Sequence, residues 1–333
     1  MRQVRTFFAL AAAVSLAACA PDDPGTRGDD DDDTGTIDAG DPNNGFIDAR
    51  PFIDAGGFYD GGGTTPSDGA CDKIDVLFVI DNSLSMDDEQ AALAAAFPHF
   101  ADVIENYTNQ TGQHLDYHIA ITTTDITYSQ DVPIFGPQVS MWNDGKFVTG
   151  NCGAQGWPSG RLFLQKGDSN VSNAFSCAAK VGTDGSGLEM PLEAAKEALL
   201  DRVPTPNANF LRDDALLAVV MLTDENDCST PNLALGVFDT PCMNNEPVAN
   251  YVAKLDMLKG GHGRWATAVI AVPPGSGQCA GDQSSENVRL KQFTDMAGAN
   301  GVFANICSGN MAQSLMQAFD TFGLACENIP PVN

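Results

Sequence analysis

Positive charge is what this chain lacks most. Its 333 residues hold 17 Lys plus Arg against 44 Asp plus Glu, and from residue 71 onward the count is 13 against 31, a net charge of −18. No basic cluster appears in that stretch, which argues against nucleic acid as a partner. Enzymatic signatures are missing as well: there is no GxSxG elbow, no GxxxxGK[ST] and no HExxH, and the glycines of GTDGSG do not follow a strand in the dinucleotide pattern. The expectation is a protein that is not an enzyme. No cysteine pair has CxxC or Cys/His zinc spacing. His114 and His118 are four apart, but His118 falls in the alternating segment DYHIAITTT, which reads as a strand and not as one face of a helix.

An apolar run long enough to span a membrane is also missing, because the run in MRQVRTFFALAAAVSLAACA is of secretory-signal length, behind Arg2 and Arg5. Residues 1–18 therefore read as an export signal. Its end, Leu16-Ala17-Ala18-Cys19, resembles a bacterial lipobox, which implies lipidation of Cys19 and a permanent anchor without a spanning helix. By the sorting rule of such lipoproteins, Ala20 after the cysteine implies the outer membrane, on its periplasmic or cell-surface face. Residues 21–70 contain thirteen Asp, no Glu, no Lys and two Arg among many Gly, Pro and Thr, so they cannot bury enough apolar surface to offset the entropy of ordering. Residues 19–70 read as a lipidated, acidic tether, of which about fifty flexible residues span roughly 40 Å. The phrases TIDAG, FIDAR, FIDAG and FYDGG within it read as a degenerate solvated linker.

From 71 to 333, strand-length apolar runs alternate with helix-period segments, the pattern of a parallel sheet covered on both faces. Strands are expected at 74–80, 117–123, 215–223, 264–272 and 301–307. Helices are expected at 85–107, 172–179, 188–202, 248–259, 285–297 and 311–322. Residues 125–170 read as an insertion with at most a short hairpin, in FVTG or RLFLQ. The fold class is α/β, an open doubly wound and mostly parallel sheet with the first strand central, and such sheets bind ligands at the carboxyl ends of their strands.

Two strands finish in a carboxylate. IDVLFVI runs into Asp81, followed by Ser83 and Ser85, and AVVMLT runs into Asp224. Hydroxyl and carboxylate oxygens converging at a strand end suit a hard cation such as Mg²⁺ or Ca²⁺. The pattern Asp-x-Ser-x-Ser after an apolar strand, with a later strand ending Thr-Asp, resembles the metal-ion-dependent adhesion site of von Willebrand factor A domains. That resemblance implies a Rossmann-like fold over 71–333 and a cation, Mg²⁺ or else Ca²⁺ or Mn²⁺, held by Asp81, Ser83, Ser85, Asp224 and a loop threonine. Thr183, in the glycine-rich loop VGTDGSG, is preferred to Thr124 at the end of the second strand. The competing reading makes Ser85, three residues before Asp88, a helix cap and Ser83 a turn residue. Glu225 and Asp227 read as solvated loop acids.

The eight cysteines beyond Cys19 argue for four disulfides in an oxidising compartment. Cys71 precedes the first strand and Cys326 follows the last helix, and the resemblance implies that these ends lie close together. The remaining pairs follow from shared loops and neighbouring strand ends: Cys152 with Cys177, Cys228 with Cys242, and Cys279 with Cys307. The resemblance further implies an envelope- or surface-anchored binding protein whose metal captures an acidic side chain of a protein partner, with only the N-terminal lipid touching membrane. The alternative is a scaffold subunit of an envelope assembly that uses the same fold without metal-dependent capture. A third reading is a hydrolase with an unrecognised site in the insertion.

Overall fold

The run KIDVLFVI forms β1 (Lys73–Ile80), buried at every position after Lys73. Such burial on both pleat faces is possible only for a strand enclosed between two helical layers. The computed structural model describes residues 71–331 except 110, 111, 241, 244 and 280–283. The signal segment, Cys19 and the tether lie outside the described residues.

After β1, a 3-10 turn (Leu84–Met86) opens α1 (Asp87–Asn106), and β2 (Asp116–Thr123) follows. Next come the hairpin β3 (Tyr128–Val132) and β4 (Gly136–Ser140), the short β5 (Leu164–Gln165), α2 (Val171–Ala178) and α3 (Pro191–Lys196), which a π turn carries on to Asp201. Then follow β6 (Leu216–Leu222), β7 (Ala234–Leu235), α4 (Val248–Lys259), β8 (Trp265–Ala271), α5 (Val288–Ala297), β9 (Gly301–Asn305) and α6 (Met311–Glu327).

The main sheet has the order β5-β2-β1-β6-β8-β9, parallel except for β5, which runs antiparallel to β2. The first strand is central, as expected. Alternate residues enter opposite cores. Val76, Phe78 and Ile80 join α1, α2 and α6 on one face, where the Phe97 and Phe175 rings stack with centroids 3.5 Å apart. Leu77 and Val79 join α3, α4 and α5 on the other. This α/β sandwich, a mostly parallel sheet flanked by helices, is the architecture expected from the alternation of runs.

Two local expectations give way. The hairpin of the insertion lies at 128–140 and pairs with β7 in a separate sheet of order β4-β3-β7, whereas FVTG only runs beside β2, with Val148 N–H on the Ile121 carbonyl at 2.8 Å. The turn of that hairpin places Ile134 and Gly136 at positive φ, 76° and 70°, and its strands are largely exposed, so no apolar alternation marked them. The helix expected from 188 starts instead at Pro191, which is suited to a first helical position and disfavours helix in the residue before it. Residues 188–190 are consequently irregular, and Met190 N–H bonds the Thr124 carbonyl at 3.2 Å. The structure joins Cys71–Cys326, Cys152–Cys177, Cys228–Cys242 and Cys279–Cys307, the four pairs expected.

Candidate metal centre

Parallel register sets the strand ends side by side. Ile80 pairs with Thr123 of β2 and with Leu222 of β6, so the next residues, Thr124, Asp81 and Thr223, fall in one row, with Asp224 following Thr223. Asp81 continues the pairing through its N–H to the Leu222 carbonyl at 2.9 Å. Its carboxylate is fully buried, with Oδ1 accepting from Ser83 N–H at 2.7 Å and Oδ2 from the Thr223 hydroxyl at 2.6 Å. Burial pushes its pKa up to about 6; the bonds from Thr223 and Ser83 oppose that rise, and the Asp224 charge adds to it.

The Ser83 and Ser85 hydroxyls lie 3.3 Å apart. Ser83 is buried and extended at φ −66°, ψ 163°, while Ser85 is exposed. Neither helix start here has a side-chain cap bond: Ser83 precedes the 3-10 turn and Met86 precedes α1 without one. The capping reading of this segment therefore has no bond to rest on.

The glycine-rich loop is tied down at two points around Thr183. Gln90 of α1 donates from Nε2 to the Asp81 carbonyl (2.9 Å) and to the Gly182 carbonyl (2.8 Å), and its Oε1 accepts from Gly182 N–H (3.2 Å). Gly185 N–H then bonds the Asn82 carbonyl at 2.8 Å, and a Cβ on Gly185 would stand 2.5 Å from the Asn82 side chain. Thr183, half-buried between these ties, belongs to a loop fastened directly to Asn82 and, through Gln90, to Asp81. Thr124 is committed elsewhere, since its hydroxyl donates to the Glu189 carboxylate. Asp224 is buried, and its carbonyl accepts from Ser285 N–H at 2.8 Å.

Sequence reasoning missed several residues here. Asp125 accepts from Asn82 Nδ2 (2.6 Å) and from Ser186 N–H (2.7 Å), locking the loop to the end of β2. Glu189, expected on an amphipathic helix, is 1% exposed beside this row, and its pKa is pushed up to about 10 by burial first and by the Asp81 charge next. Glu225, half-buried, is raised to about 7 by burial and by Asp81 and Asp224. Asp227 is not a solvated acid: it is fully buried, bonded by Arg289 Nε at 2.8 Å and by the Ser229 hydroxyl at 2.5 Å. The TDENDCS run looked uniformly polar, and only the approach of Arg289 from α5 separates the structural acid from the site acids.

No protein-family model and no curated protein matches the chain. Solved structures that are similar include proximal thread matrix protein 1 from the mussel byssus (12% identity, TM-score 0.40, covering 76% of this chain and 49% of that one). A second structure of that protein, described as having a zinc-occupied MIDAS motif, matches at 13% identity and TM-score 0.39, covering 77% and 46%. The human COPII-coat protein Sec24c matches at 10% identity and TM-score 0.40, covering 76% and 33%. The chain thus spans half or less of the length of each, and likenesses this distant say nothing about its ligand.

Among the described residues, no three His, Cys, Asp or Glu side chains form a preformed metal cage. The donors gathered at the strand ends are hydroxyl and carboxylate oxygens, and the described cysteines are all in disulfides. That donor set fits a hard, partly hydrated cation and not a thiophilic one. The raised pKa values of Asp81, Glu225 and Glu189 come from burial first and from mutual repulsion after it, and a cation among them would favour the ionised forms.

Proposed function

We propose that this chain is an exported, lipid-anchored binding protein that captures a protein partner at a divalent cation held by Asp81, Ser83, Ser85, Thr183 and Asp224. Supporting this reading above all is the buried Asp81 carboxylate beside the paired Ser83 and Ser85 hydroxyls, which cap no helix. In it, Mg²⁺, or Ca²⁺ or Mn²⁺, keeps several waters and leaves a position for an acidic side chain of the partner. The von Willebrand factor A-type arrangement suggested by DNSLS gives these residues their roles, and Cys19 provides the anchor at the outer membrane. No catalytic base is assigned, and the protein is taken to bind and not to turn over substrate. The experiment is titration calorimetry with Mg²⁺ and Mn²⁺ on the wild type and on Asp81→Ala, followed by capture of envelope proteins with and without chelator. Binding lost in the variant and capture lost in chelator are expected; undiminished affinity in Asp81→Ala removes the assignment.

The scaffold reading is favoured by a different observation. Ile134 (100% exposed), Phe135 (75%) and Phe238 (96%) lie at the β3–β4 turn and just after β7, which runs parallel to β3. Such apolar exposure marks interaction surfaces. Capture of partners that survives chelation but fails in Phe135→Ser and Phe238→Ser would favour that reading.

A further inference from the structure

One carboxylate at the strand ends is not accounted for by any role given so far. Glu189 is 1% exposed, and its Oε1 has no hydrogen-bond partner among the described residues. A buried acceptor left unmade costs roughly 1–3 kcal/mol, and more when it is a carboxylate, so proteins seldom keep one without an occupant. Asn82 Oδ1, on the residue between Asp81 and Ser83, is in the same condition.

The backbone explains why this side chain faces the site. Pro191 delays the helix, Met190 N–H bonds the Thr124 carbonyl, and Cys228 N–H bonds the Glu189 carbonyl at 2.8 Å, so Glu189 is stitched between the end of β2 and the loop after β6. Those are the two strands flanking Asp81. The Thr124 hydroxyl then holds the other carboxylate oxygen. Three independent ties serve a group whose remaining oxygen has nothing to accept.

Resting on the metal-binding reading above, we infer that Glu189 is an outer carboxylate of the cation site, its free Oε1 accepting a hydrogen bond from a water that the cation retains. It is a positioning residue that acts through that water. This role needs no three-carboxylate cage, and none is present among the described residues, because the carboxylate need not reach the ion. A hard cation that keeps several waters provides the donor, and outer partners of this kind orient what the metal holds.

The test uses Mn²⁺ with Glu189→Gln, which keeps the shape and the bond from Thr124 while leaving a side chain that cannot ionise when the cation binds. Free Mn²⁺ is counted by electron paramagnetic resonance, and the waters on the bound ion are read by water-proton relaxation. The variant is expected to bind Mn²⁺ roughly 10- to 100-fold more weakly, with altered relaxation of the bound ion and unchanged melting in chelator. Affinity and relaxation equal to the wild type would overturn the assignment and leave Glu189 a purely structural carboxyl. A wild type that binds no Mn²⁺ overturns the metal site itself, and this inference with it. Should Glu189→Gln melt lower in chelator, Thr124→Val, which releases the carboxylate without changing its charge, is read the same way: weaker Mn²⁺ binding supports the role and equal binding overturns it.

Discussion

Asp81, Glu225 and Glu189 share one electrostatic problem. Their ordinary pKa values of 3.8, 4.5 and 4.5 are raised to about 6, 7 and 10, in each case by burial first. An acid with a raised folded pKa binds its proton more tightly in the native state, so its contribution to stability is fully present below the unfolded value and is lost as pH rises through the folded one. Metal-free protein should therefore melt at progressively lower temperature between about pH 4 and about pH 7, with Glu189 extending the loss further. Saturating Mg²⁺ should raise the melting temperature at about pH 8 and do little at about pH 4.5, because protonated carboxylates do not hold a cation. Scanning calorimetry with chelator or Mg²⁺ checks both, and Asp81→Asn should flatten the metal-free slope. His118 behaves in the opposite sense: although 3.6 Å from Asp75, its Nδ1 bonds the Phe210 carbonyl at 2.7 Å and Arg212 takes Asp75, so burial wins and its pKa is lowered.

At the scale of elements, the site depends on loops held at fixed points by strands that cannot move. β1 and β6 are buried along nearly all their length, and the loop at 182–186 is fastened to β1 by Gln90 and Asn82 and to the end of β2 by Asp125. Gly185 is where this fastening is most exacting, since any side chain there meets Asn82 at 2.5 Å. Gly185→Ala should displace the loop at a stability loss of about 1–3 kcal/mol, as for other overpacked sites. It should weaken Mn²⁺ binding if Thr183 is a ligand. Chemical denaturation and metal titration of the same sample separate the two effects; unaltered metal affinity with the stability loss present would remove Thr183 from the ligand set.

For the molecule as a whole, the disulfides lie at positions where chain closure matters unequally. Cys71–Cys326 closes a separation of 255 residues and Cys228–Cys242 one of 14. In the chain-entropy model, these contribute about 5 and about 3 kcal/mol respectively. The paired variant Cys71→Ser with Cys326→Ser should consequently lose more stability than Cys228→Ser with Cys242→Ser, measured by denaturant midpoint under non-reducing conditions. The smaller loop lies next to Asp224, so its loss should register in metal affinity instead. Four disulfides are in keeping with an exported protein, and among the described residues no helix is long and apolar enough to cross a membrane.

Read as a string, the chain already determined the fold class and the central place of the first strand, because unbroken runs such as LLAVVML are tolerated only between two helical layers. It also determined the DNSLS cluster, whose residues are close in space because they are close in sequence. Three cysteine pairs were legible through shared loops and neighbouring strand ends, while Cys71–Cys326 rested on the resemblance, which implied that the domain ends lie close together. Tertiary structure alone decided the rest. The hairpin at 128–140 is nearly unburied and so carries no periodic signal, and Asp227 became a buried ion pair only when α5 brought Arg289 against it. Glu189 shows the division most clearly. Its neighbours LEMPLEAAK have helical spacing, yet Pro191 moves the helix start past it, and parallel register brings it beside Asp81, 108 residues earlier in the chain. Local periodicity holds no information about which distant strand end a loop residue will face, and that information arises only when the sheet closes.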